Sequence, residues 1–522
     1  GSTVNNLSNL TIRNVNFTAT STSNAAFLLA LDDVQSLKRQ QAFTVENSTI
    51  KLVGKEAALL LLDAELSGFA VTLKKLSATL EPQRVQTATA VQFGSSPTAL
   101  KGTDLSLHLL ESDLSFIGLY DSATFLNAQA IALTKSTFDF TRTALVLRDT
   151  SCSLRISIGS FISFSLFSIG QTGVFKDSEI TIQNVPFSLT GTTNIINTPI
   201  SVASSATVFS NSTVAFRQVA LVKTRSSTAA AGFSNSLFSN SSLTFEDVEL
   251  EVENFTPPSV LSTLPKAALM IWTTTFRSSN VSVAGCNFTL RYHSAAFLQG
   301  MAMLGGKIEA GSSFAVTDTV ISAQPIAAAL TTSAIAFGLS AAPILISDAT
   351  ISIENVTMDV ACPACTNGTI MTDVTAPPAS IGIDINAATV SNSSFHFTNN
   401  DISVNDGSAL GIATRNSVFT SSAEMVMKNN NVEVVSAHYQ DYTFIAGVLL
   451  HNVTLDDCAV KVYGAQTAVK HTMATSSAND KSVLMVATGV MFVDTHFTTG
   501  CFVTVDRADP NDDTSQRTVI RA

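Results

Sequence analysis

A short apolar pattern recurs along most of the chain and constrains the fold more strongly than any other feature. Apolar residues stand at relative positions 0, +2, +5 and +7, as in Val214, Phe216, Val219 and Leu221. Within each half of the pattern apolar and polar residues alternate, which is the period of a β-strand with one buried face. The pattern therefore predicts two short strands joined by a tight bend.

The pattern repeats at an average interval of about 34 residues between Ile180 and Val453, with variable spacing. Copies begin at Leu10, Val71, Ile180, Val214, Leu243, Val281, Phe314, Ile351, Phe395, Met425 and Val453. A third strand with small residues at its start precedes most copies, as at residues 57–61 and 267–271, and a turn such as 209–212 follows it. A fixed motif at variable spacing indicates constant strands connected by loops of variable length.

These repeats predict an all-β fold, a single-stranded parallel β-helix of about fifteen coils, each with three short strands. Helical repeats would show a 3.6-residue period, and propeller blades need four strands with a Trp or Tyr signature. We expect residues 1–522 to form one continuous solenoid, with long loops near 254–266, 362–380 and 475–481.

Composition excludes several classes of protein. Only 13% of the residues are charged and the net charge is −11, so no basic surface for nucleic acid is expected. No apolar stretch is long enough to span a membrane. Because metal-ligand spacings, nucleophile elbows and phosphate-binding loops are missing from the sequence, no cofactor and no metal site is predicted.

Equivalent residues of successive coils should lie directly above one another. Phe numbers 32, against five Tyr and one Trp, and is expected in internal stacks because a coil interior offers no partner for a hydroxyl or an indole N–H. Asn400 and Asn430 should form a ladder of side-chain amides at a bend. Cys458 and Cys501 align on neighbouring coils, and we expect a disulfide between them.

Cys362 and Cys365 are the only closely spaced cysteines, and they lie in a segment rich in Pro, Gly and Thr. A small disulfide that closes this loop is the favoured interpretation. Thioredoxin-like redox chemistry would need a following helix, and zinc would need a second pair of ligands.

Acceptor triplets for N-glycosylation are enriched modestly over the number expected from composition. They predict a secreted eukaryotic glycoprotein, although turns rich in hydroxyl groups favour the same triplets for conformational reasons. The acceptors are Asn6, Asn9, Asn16, Asn47, Asn211, Asn240, Asn254, Asn280, Asn287, Asn355, Asn367, Asn392 and Asn452.

The repeat resembles the right-handed β-helix of the pectin-lyase-like superfamily along nearly the whole chain, at the level of pattern. The resemblance implies a right-handed helix and, for many members, cleavage or binding of acidic polysaccharides by Asp, Lys and Arg on one outward strand face. The Asn-Thr-Asp, Gly-His-Gly and Arg-Ile-Lys motifs of polygalacturonases are absent. Hydrolysis needs paired carboxylates at a set separation, and the sequence alone assembles no such pair, so we expect that the protein is not an enzyme.

The abundance of Ala, Ser, Thr and Val, with Asn-Val-Thr and Asn-Phe-Thr turns, resembles the dispersed-gene-family surface glycoproteins of kinetoplastid protists. We therefore expect an extracellular structural glycoprotein, a unit of a cell-surface coat or fibre with adhesion as an output. No capping helix is evident, so either the chain is a section of a longer protein or copies stack head-to-tail into filaments. The expected partners are further copies, other matrix or surface components, and N-linked glycans.

The alternative is a polysaccharide lyase or hydrolase of the pectin-lyase-like type. Such an enzyme should display an outward cluster of Asp, Lys and Arg on one strand face of adjacent coils. A structural unit should display Thr, Ser and glycans on that face.

Overall fold

The structure is a computed structural model, and it describes a set of ranges separated by short gaps. The described residues are 9–21, 25–82, 86–94, 99–118, 125–133, 137–156, 161–170, 172–190, 200–202, 206–224, 229–254, 265–361, 379–405, 408–436, 443–464, 466–471, 485–498, 500–506 and 517–521. The long loops predicted at 254–266, 362–380 and 475–481 fall mostly outside these ranges. A helix capable of spanning a bilayer is not found within them.

The chain divides into two compact units, Gly1–Leu250 and Glu251–Ala522. The regular structure described in both is β-strand. The strands up to residue 246 are β1 (Leu10–Arg13), β2 (Asn16–Thr20), β3 (Ala26–Gly54), β4 (Ala57–Pro82), β5 (Gln86–Phe93), β6 (Leu100–Thr103), β7 (Ser106–Leu110), β8 (Asp113–Gly118), β9 (Phe125–Leu133), β10 (Phe138–Thr141), β11 (Ala144–Arg148), β12 (Ser151–Ile156), β13 (Phe161–Ile169), β14 (Gly173–Lys176), β15 (Glu179–Thr190), β16 (Ile200–Val202), β17 (Thr207–Ser210), β18 (Thr213–Thr224), β19 (Ala229–Ser234), β20 (Leu237–Ser239) and β21 (Ser242–Glu246).

The later strands are β22 (Glu249–Asn254), β23 (Lys266–Arg277), β24 (Asn280–Ala284), β25 (Asn287–Glu309), β26 (Ser313–Thr317), β27 (Val320–Phe337), β28 (Ile344–Ser347), β29 (Thr350–Glu354), β30 (Thr357–Ala361), β31 (Ala379–Asn386), β32 (Ala388–Ser391), β33 (Ser394–Thr398), β34 (Asp401–Asn405), β35 (Ser408–Thr420), β36 (Glu424–Lys428), β37 (Asn431–Ser436), β38 (Thr443–Leu455), β39 (Ala459–Tyr463), β40 (Gln466–His471), β41 (Met485–Val493), β42 (His496–Phe497), β43 (Phe502–Asp506) and β44 (Arg517–Arg521).

Equivalent strands of successive coils pair in parallel within each unit. In the second unit, Phe395 of β33 lies opposite Ile351 of β29 on one side and Met425 of β36 on the other. Parallel pairing between equivalent segments is the topology of a β-helix, so the predicted all-β parallel β-helix is confirmed. That residues 1–522 form one continuous solenoid stays a prediction.

Several of the described coils contain four strands where the sequence predicts three. One coil of the second unit runs through β31, β32, β33 and β34, and these strands define the upstream sheet, the short sheet, the first template sheet and the second template sheet. In the first unit, β17 and β20 pair in parallel at 209–210 and 238–239, where the sequence indicated a turn. Segments this short show no period by themselves, but each is ordered by the equivalent segment of the next coil.

The number of described coils is the number of strand segments in the first template sheet. It contains eight segments in the first unit, from β1, β3, β4, β7, β11, β15, β18 and β21, and seven in the second unit, from β24, β26, β29, β33, β36, β39 and β43. Several coils without a predicted copy have a buried hydroxyl at the +5 position of the pattern, where most copies are apolar. The Ser48, Ser112 and Thr150 hydroxyls donate to carbonyls two residues earlier, at 2.8, 2.7 and 3.0 Å.

Phe side chains stack inside the coils of the first unit, as predicted. The ring of Phe209 lies 5.5 Å from that of Phe175 and 4.6 Å from that of Phe238, with interplanar angles of 3° and 16°. Phe216 and Phe245 stack at 5.2 Å. All of these rings are fully buried, so each coil contributes apolar area to a core that extends along the stack.

The predicted Asn ladder is present at a bend of the second unit. The Asn400 side chain donates to Oδ1 of Asn430 at 2.9 Å and to the carbonyl of Ile353 at 2.9 Å. Its own Oδ1 accepts the backbone N–H of Val356 at 3.0 Å. Both amides are buried, and the ladder satisfies backbone groups that the bend removes from the strand pairing.

The predicted disulfide between Cys458 and Cys501 is not formed in the structure, where both are free buried thiols. The two residues do stack, because the backbone N–H of Phe502 donates to the carbonyl of Cys458 at 3.1 Å. Each thiol donates to a backbone carbonyl at 2.9 Å. Equivalent residues of stacked coils have parallel Cα–Cβ bonds, whereas a disulfide needs the Cβ atoms to converge to about 3.8 Å. Cys362 and Cys365 lie outside the described residues.

The last described strand breaks the parallel order. β44 pairs antiparallel with β43, with Val503 opposite Ile520. It therefore occupies the edge of the first template sheet on which another copy would stack head-to-tail.

Candidate functional site

Three carboxylates lie on the outward face of the second template sheet in the second unit. Asp359 is on β30, Asp401 on β34 and Glu433 on β37. Asp359 lies opposite Ser403, and Ser403 lies opposite Glu433. Asp401 is two residues before Ser403 on the central strand, so the three acids surround Ser403. We call them the carboxylate triangle.

Strand alternation directs these acids outward. On each of the three strands the residues between the polar positions are buried apolar side chains, namely Met358, Val360, Ile402, Val404, Val432 and Val434. Their burial fixes the register, because a slip of one residue would bring the acids into the core. Asp401 is exposed, whereas Asp359, Ser403 and Glu433 are partly buried.

The spacing of parallel strands sets the size of the triangle. Adjacent strands are about 4.8 Å apart, so the Cα atoms of Asp359 and Glu433 are separated by about 10 Å. Asp401 lies on the diagonal to each of them, at about 8 Å. Inverting glycoside hydrolases place their two carboxyl groups about 6.5–9.5 Å apart, which leaves room for a water molecule beside the sugar.

Neutral amide side chains orient the acids. Gln324 donates to Oδ2 of Asp359 at 2.9 Å, and Asn431 donates to Oδ1 of Asp401 at 2.9 Å. Asn405 donates to the hydroxyl of Ser403 at 3.3 Å. Each bond to Asp359 and Asp401 engages one carboxylate oxygen and limits rotation of the side chain, so both acids are held in one orientation.

This cluster was missed by the sequence analysis, although a signal was available. Asp359 and Glu433 each stand eight residues after the start of a pattern copy, at Ile351 and Met425. Ser403 holds the same place in the intervening copy, and the acid there, Asp401, comes two residues earlier. A comparison of equivalent positions in the pattern copies therefore does not reveal Asp401, the third acid of the triangle. Within the described ranges, no group of His, Cys, Asp and Glu could hold a metal ion.

Many predicted glycosylation acceptors lie at bends and have a left-handed backbone. These are Asn47, Asn211, Asn240, Asn355, Asn392 and Asn452, with φ of 48°, 51°, 47°, 54°, 44° and 54°. Asn adopts this conformation more readily than other residues with a side chain. The residue after each of these Asn is buried. The residue after that is an outward-facing Ser or Thr at the start of the next strand segment. The bend therefore favours the triplet for conformational reasons.

Some acceptor amides also take part in hydrogen bonds between coils. The side-chain nitrogen of Asn211 donates to Asp177 at 2.7 Å, and that of Asn392 donates to Asp348 at 2.5 Å. Asn9, Asn16, Asn280 and Asn287 are exposed and do not have a left-handed backbone. Asn6 and Asn367 lie outside the described residues, and only the backbone of Asn254 is described. Glycosylation at all thirteen positions stays a prediction.

No protein-family model matches the chain, and no curated protein matches it in sequence. Among solved structures, the chain is similar to one titled "Crystal structure of Agl-KA catalytic domain", at 12% identity and a TM-score of 0.20, covering 81% of this chain and 63% of that one. It is also similar to tailspike protein 3 of bacteriophage CBA120, at 10% identity and a TM-score of 0.19, covering 88% of this chain and 56% of that one. The chain thus spans less than two thirds of the length of either structure.

These comparisons correct one expectation. The prediction that the protein is not an enzyme is contradicted, because a catalytic domain is among the matched structures. A likeness this low assigns no activity to the chain, so the case for an activity has to come from its own residues. Neither comparison supports the resemblance to kinetoplastid surface glycoproteins.

Proposed function

We propose that the protein is a polysaccharide hydrolase whose active site is the carboxylate triangle of Asp359, Asp401 and Glu433. The observation that supports it is the placement of three outward acids on three successive coils, at Cα separations of about 8–10 Å. This is the acidic part of the cluster that the alternative interpretation requires.

In an inverting mechanism, one carboxylic acid protonates the glycosidic oxygen while a second carboxylate removes a proton from the attacking water. Asp401 is the most exposed of the three and lies on the diagonal to both others, so it can act together with either Asp359 or Glu433. Gln324 and Asn431 keep Asp359 and Asp401 oriented toward the substrate. Ser403 lies beneath the bound sugar and can hydrogen-bond to one of its hydroxyls.

The test is to incubate the protein with a panel of neutral and acidic polysaccharides and to measure hydrolysis by the release of reducing ends. We expect Asp401→Asn to lower kcat by about 10²–10⁴-fold, and Asp359→Asn and Glu433→Gln to act in the same direction. Asp113→Asn is the matched control, because Asp113 is an exposed acid that starts β8 of the second template sheet in the first unit. If NMR shows that the first product has the inverted anomeric configuration, the inverting mechanism is supported.

Two results would overturn the proposal. One is that no polysaccharide in the panel is cleaved by the folded protein. The other is that Asp401→Asn cleaves a substrate at the rate of the unaltered chain.

An extracellular location, N-linked glycans and assembly into coats or filaments remain proposals. The exposed acceptors such as Asn16 and Asn287 support glycosylation. The antiparallel strand β44 disfavours head-to-tail stacking, since it covers one of the edges that such stacking would use. Analytical ultracentrifugation of the secreted protein, with and without amidase treatment, tests assembly and glycosylation together.

A further inference from the structure

A serine and a histidine lie side by side on the outward face of β7 in the first unit. Ser106 and His108 are separated by one buried residue, so strand alternation places both on the same face. The hydroxyl Oγ of Ser106 lies 3.1 Å from Nε2 of His108. Both side chains are partly buried, and they lie far along the chain from the carboxylate triangle, in the other unit.

Neighbouring coils explain why this hydroxyl turns to the imidazole. Ala70 and Ala144 lie opposite Ser106 on the two adjacent strands. Neither offers a hydrogen-bonding side chain, and both are small, which leaves the serine accessible from the sides. The two methyl groups also make the space around the hydroxyl shallow and apolar.

The same chain contains a natural comparison. Ser394 and His396 have the same spacing on β33, in the first template sheet of the second unit. There Thr350 lies opposite Ser394, and the Ser394 hydroxyl donates to it at 3.4 Å. The sequence motif is therefore shared, but only Ser106 directs its hydroxyl to the histidine.

The charge state of His108 suits a proton acceptor. Burial lowers the pKa of His108, and the positive charge of Arg148 acts in the same direction, while Glu179 opposes both. The imidazole is thus held neutral at neutral pH. With its proton on Nδ1, Nε2 can accept the proton of the Ser106 hydroxyl.

We propose that Ser106 and His108 form a nucleophile and base pair that hydrolyses small acyl esters, such as an acetyl ester. Ser106 Oγ bonds to the ester carbonyl carbon as its proton passes to His108. The bond to the alcohol then breaks, and the alcohol leaves with that proton. Water attacks the acyl-serine in the same way, releasing the carboxylic acid and restoring the serine.

The geometry selects the substrate class. Among the described contacts no carboxylate bonds to the His108 ring, so the base is weaker than in a complete triad. Esters have better leaving groups than amides and need less help from the base. Neither Ala70 nor Ala144 offers enough apolar surface to hold a long acyl chain, which favours a small acyl group over a bulky one.

The test uses p-nitrophenyl acetate as substrate and a fluorophosphonate as a covalent probe. We expect the probe to label Ser106, as mapped by peptide mass spectrometry, and excess p-nitrophenyl acetate to protect it. Ser106→Ala should abolish labelling, and His108→Asn should lower the hydrolysis rate by about 10²-fold or more. The matched controls Ser394→Ala and His396→Asn should change neither readout.

Circular dichroism and urea midpoints establish that each variant is folded. The proposal is overturned if the unaltered chain is not labelled at Ser106. It is also overturned if Ser106→Ala hydrolyses the ester at an unchanged rate, or if Ser394 is labelled equally.

Discussion

The bend at Ser212 in the first unit and the bend at Asn430 in the second satisfy buried backbone groups with different side chains. At the first, the Ser212 hydroxyl accepts the backbone N–H of Ser178 at 3.1 Å and donates to the carbonyl of Ser210 at 2.8 Å. Its own N–H donates to the hydroxyl of Ser241 at 3.0 Å. The hydroxyl thus links one neighbouring coil and its own strand.

The amide at the second bend has a longer reach. Oδ1 of Asn430 accepts both the backbone N–H and the side-chain N–H of Asn400, at 3.0 and 2.9 Å. Its nitrogen donates to the carbonyl of Phe397 at 2.9 Å. One Asn therefore serves two backbone groups and a second Asn of the preceding coil, so the two amides depend on each other.

The difference shows what each solution requires of the sequence. A Ser can bond to a carbonyl of its own strand and so needs no polar side chain on the next coil, as at Ser48, which stacks between Val15 and Leu76. An Asn makes its full set of bonds when the next coil supplies another, so Asn400 and Asn430 occur together. Hydroxyl bends therefore contribute smaller and more independent increments of stability than the amide ladder.

The largest effect is expected at the ladder. Asn430→Ala should lower the free energy of unfolding by about 3 kcal/mol, because it leaves the Asn400 N–H groups and the Phe397 carbonyl without their partner in the core. Urea unfolding followed by circular dichroism measures it. Asn431→Ala is the matched control, since Asn431 is exposed on the next residue, and it should change the value by less than about 0.5 kcal/mol.

A double-mutant cycle between Asn400 and Asn430 sharpens the same comparison. The losses in free energy of unfolding caused by Asn400→Ala and Asn430→Ala should add up to about 1 kcal/mol or more above the loss in the double variant, because either change alone already breaks the bonds that the two amides share. Strict additivity would show that the amides act independently and would contradict the ladder as a coupled unit.

A smaller effect is expected at the hydroxyl bend. Ser212→Ala should cost about 1–2 kcal/mol, since it leaves only the backbone N–H of Ser178 without an acceptor. The same urea experiment applies. Ser242→Ala, an exposed hydroxyl on β21, should be nearly neutral. If Ser212→Ala proved as damaging as Asn430→Ala, the two bends would be energetically equivalent and the comparison would fail.

The smallest effect is expected at the exposed residue of a bend. Asn47 has φ of 48° and is exposed, immediately before the buried Ser48. Asn47→Asp should change stability by less than about 0.5 kcal/mol, whereas Asn47→Val should cost about 1–2 kcal/mol through backbone strain. Both changes remove the glycosylation triplet, so equal losses would indicate that a glycan, and not the conformation, stabilises this bend.

Much of the fold could be predicted because stacking repeats one local rule. Alternation identified the inward residues, and parallel stacking then predicted internal stacks of Phe and placed Asn400 on Asn430. The coils at Ser48, Ser112 and Thr150 were missed because a buried hydroxyl breaks an apolar pattern, although its hydrogen bond makes it compatible with burial. The short sheet was missed because its strands are ordered by their neighbours and not by a period of their own.

The sites were less predictable because they join residues from different coils or depend on what a neighbouring coil supplies. Loops of unequal length separate Asp359, Asp401 and Glu433, so no fixed interval connects them. Ser106-Leu107-His108 and Ser394-Phe395-His396 have equivalent spacing, yet the two serine hydroxyls have different partners. The coils beside Ser106 supply Ala70 and Ala144, which cannot hydrogen-bond through their side chains, whereas the coil beside Ser394 supplies the Thr350 hydroxyl.

The sequence by itself determined the parallel β-helix, the inward faces and the bend residues, since these follow from the alternation of side chains along one strand and from φ preferences at single residues. Only the tertiary structure decided the carboxylate triangle, the pairing of Ser106 with His108 and the separate thiols of Cys458 and Cys501. The reason is that those features depend on the register between coils and on the direction of Cβ atoms across it, which no single strand specifies.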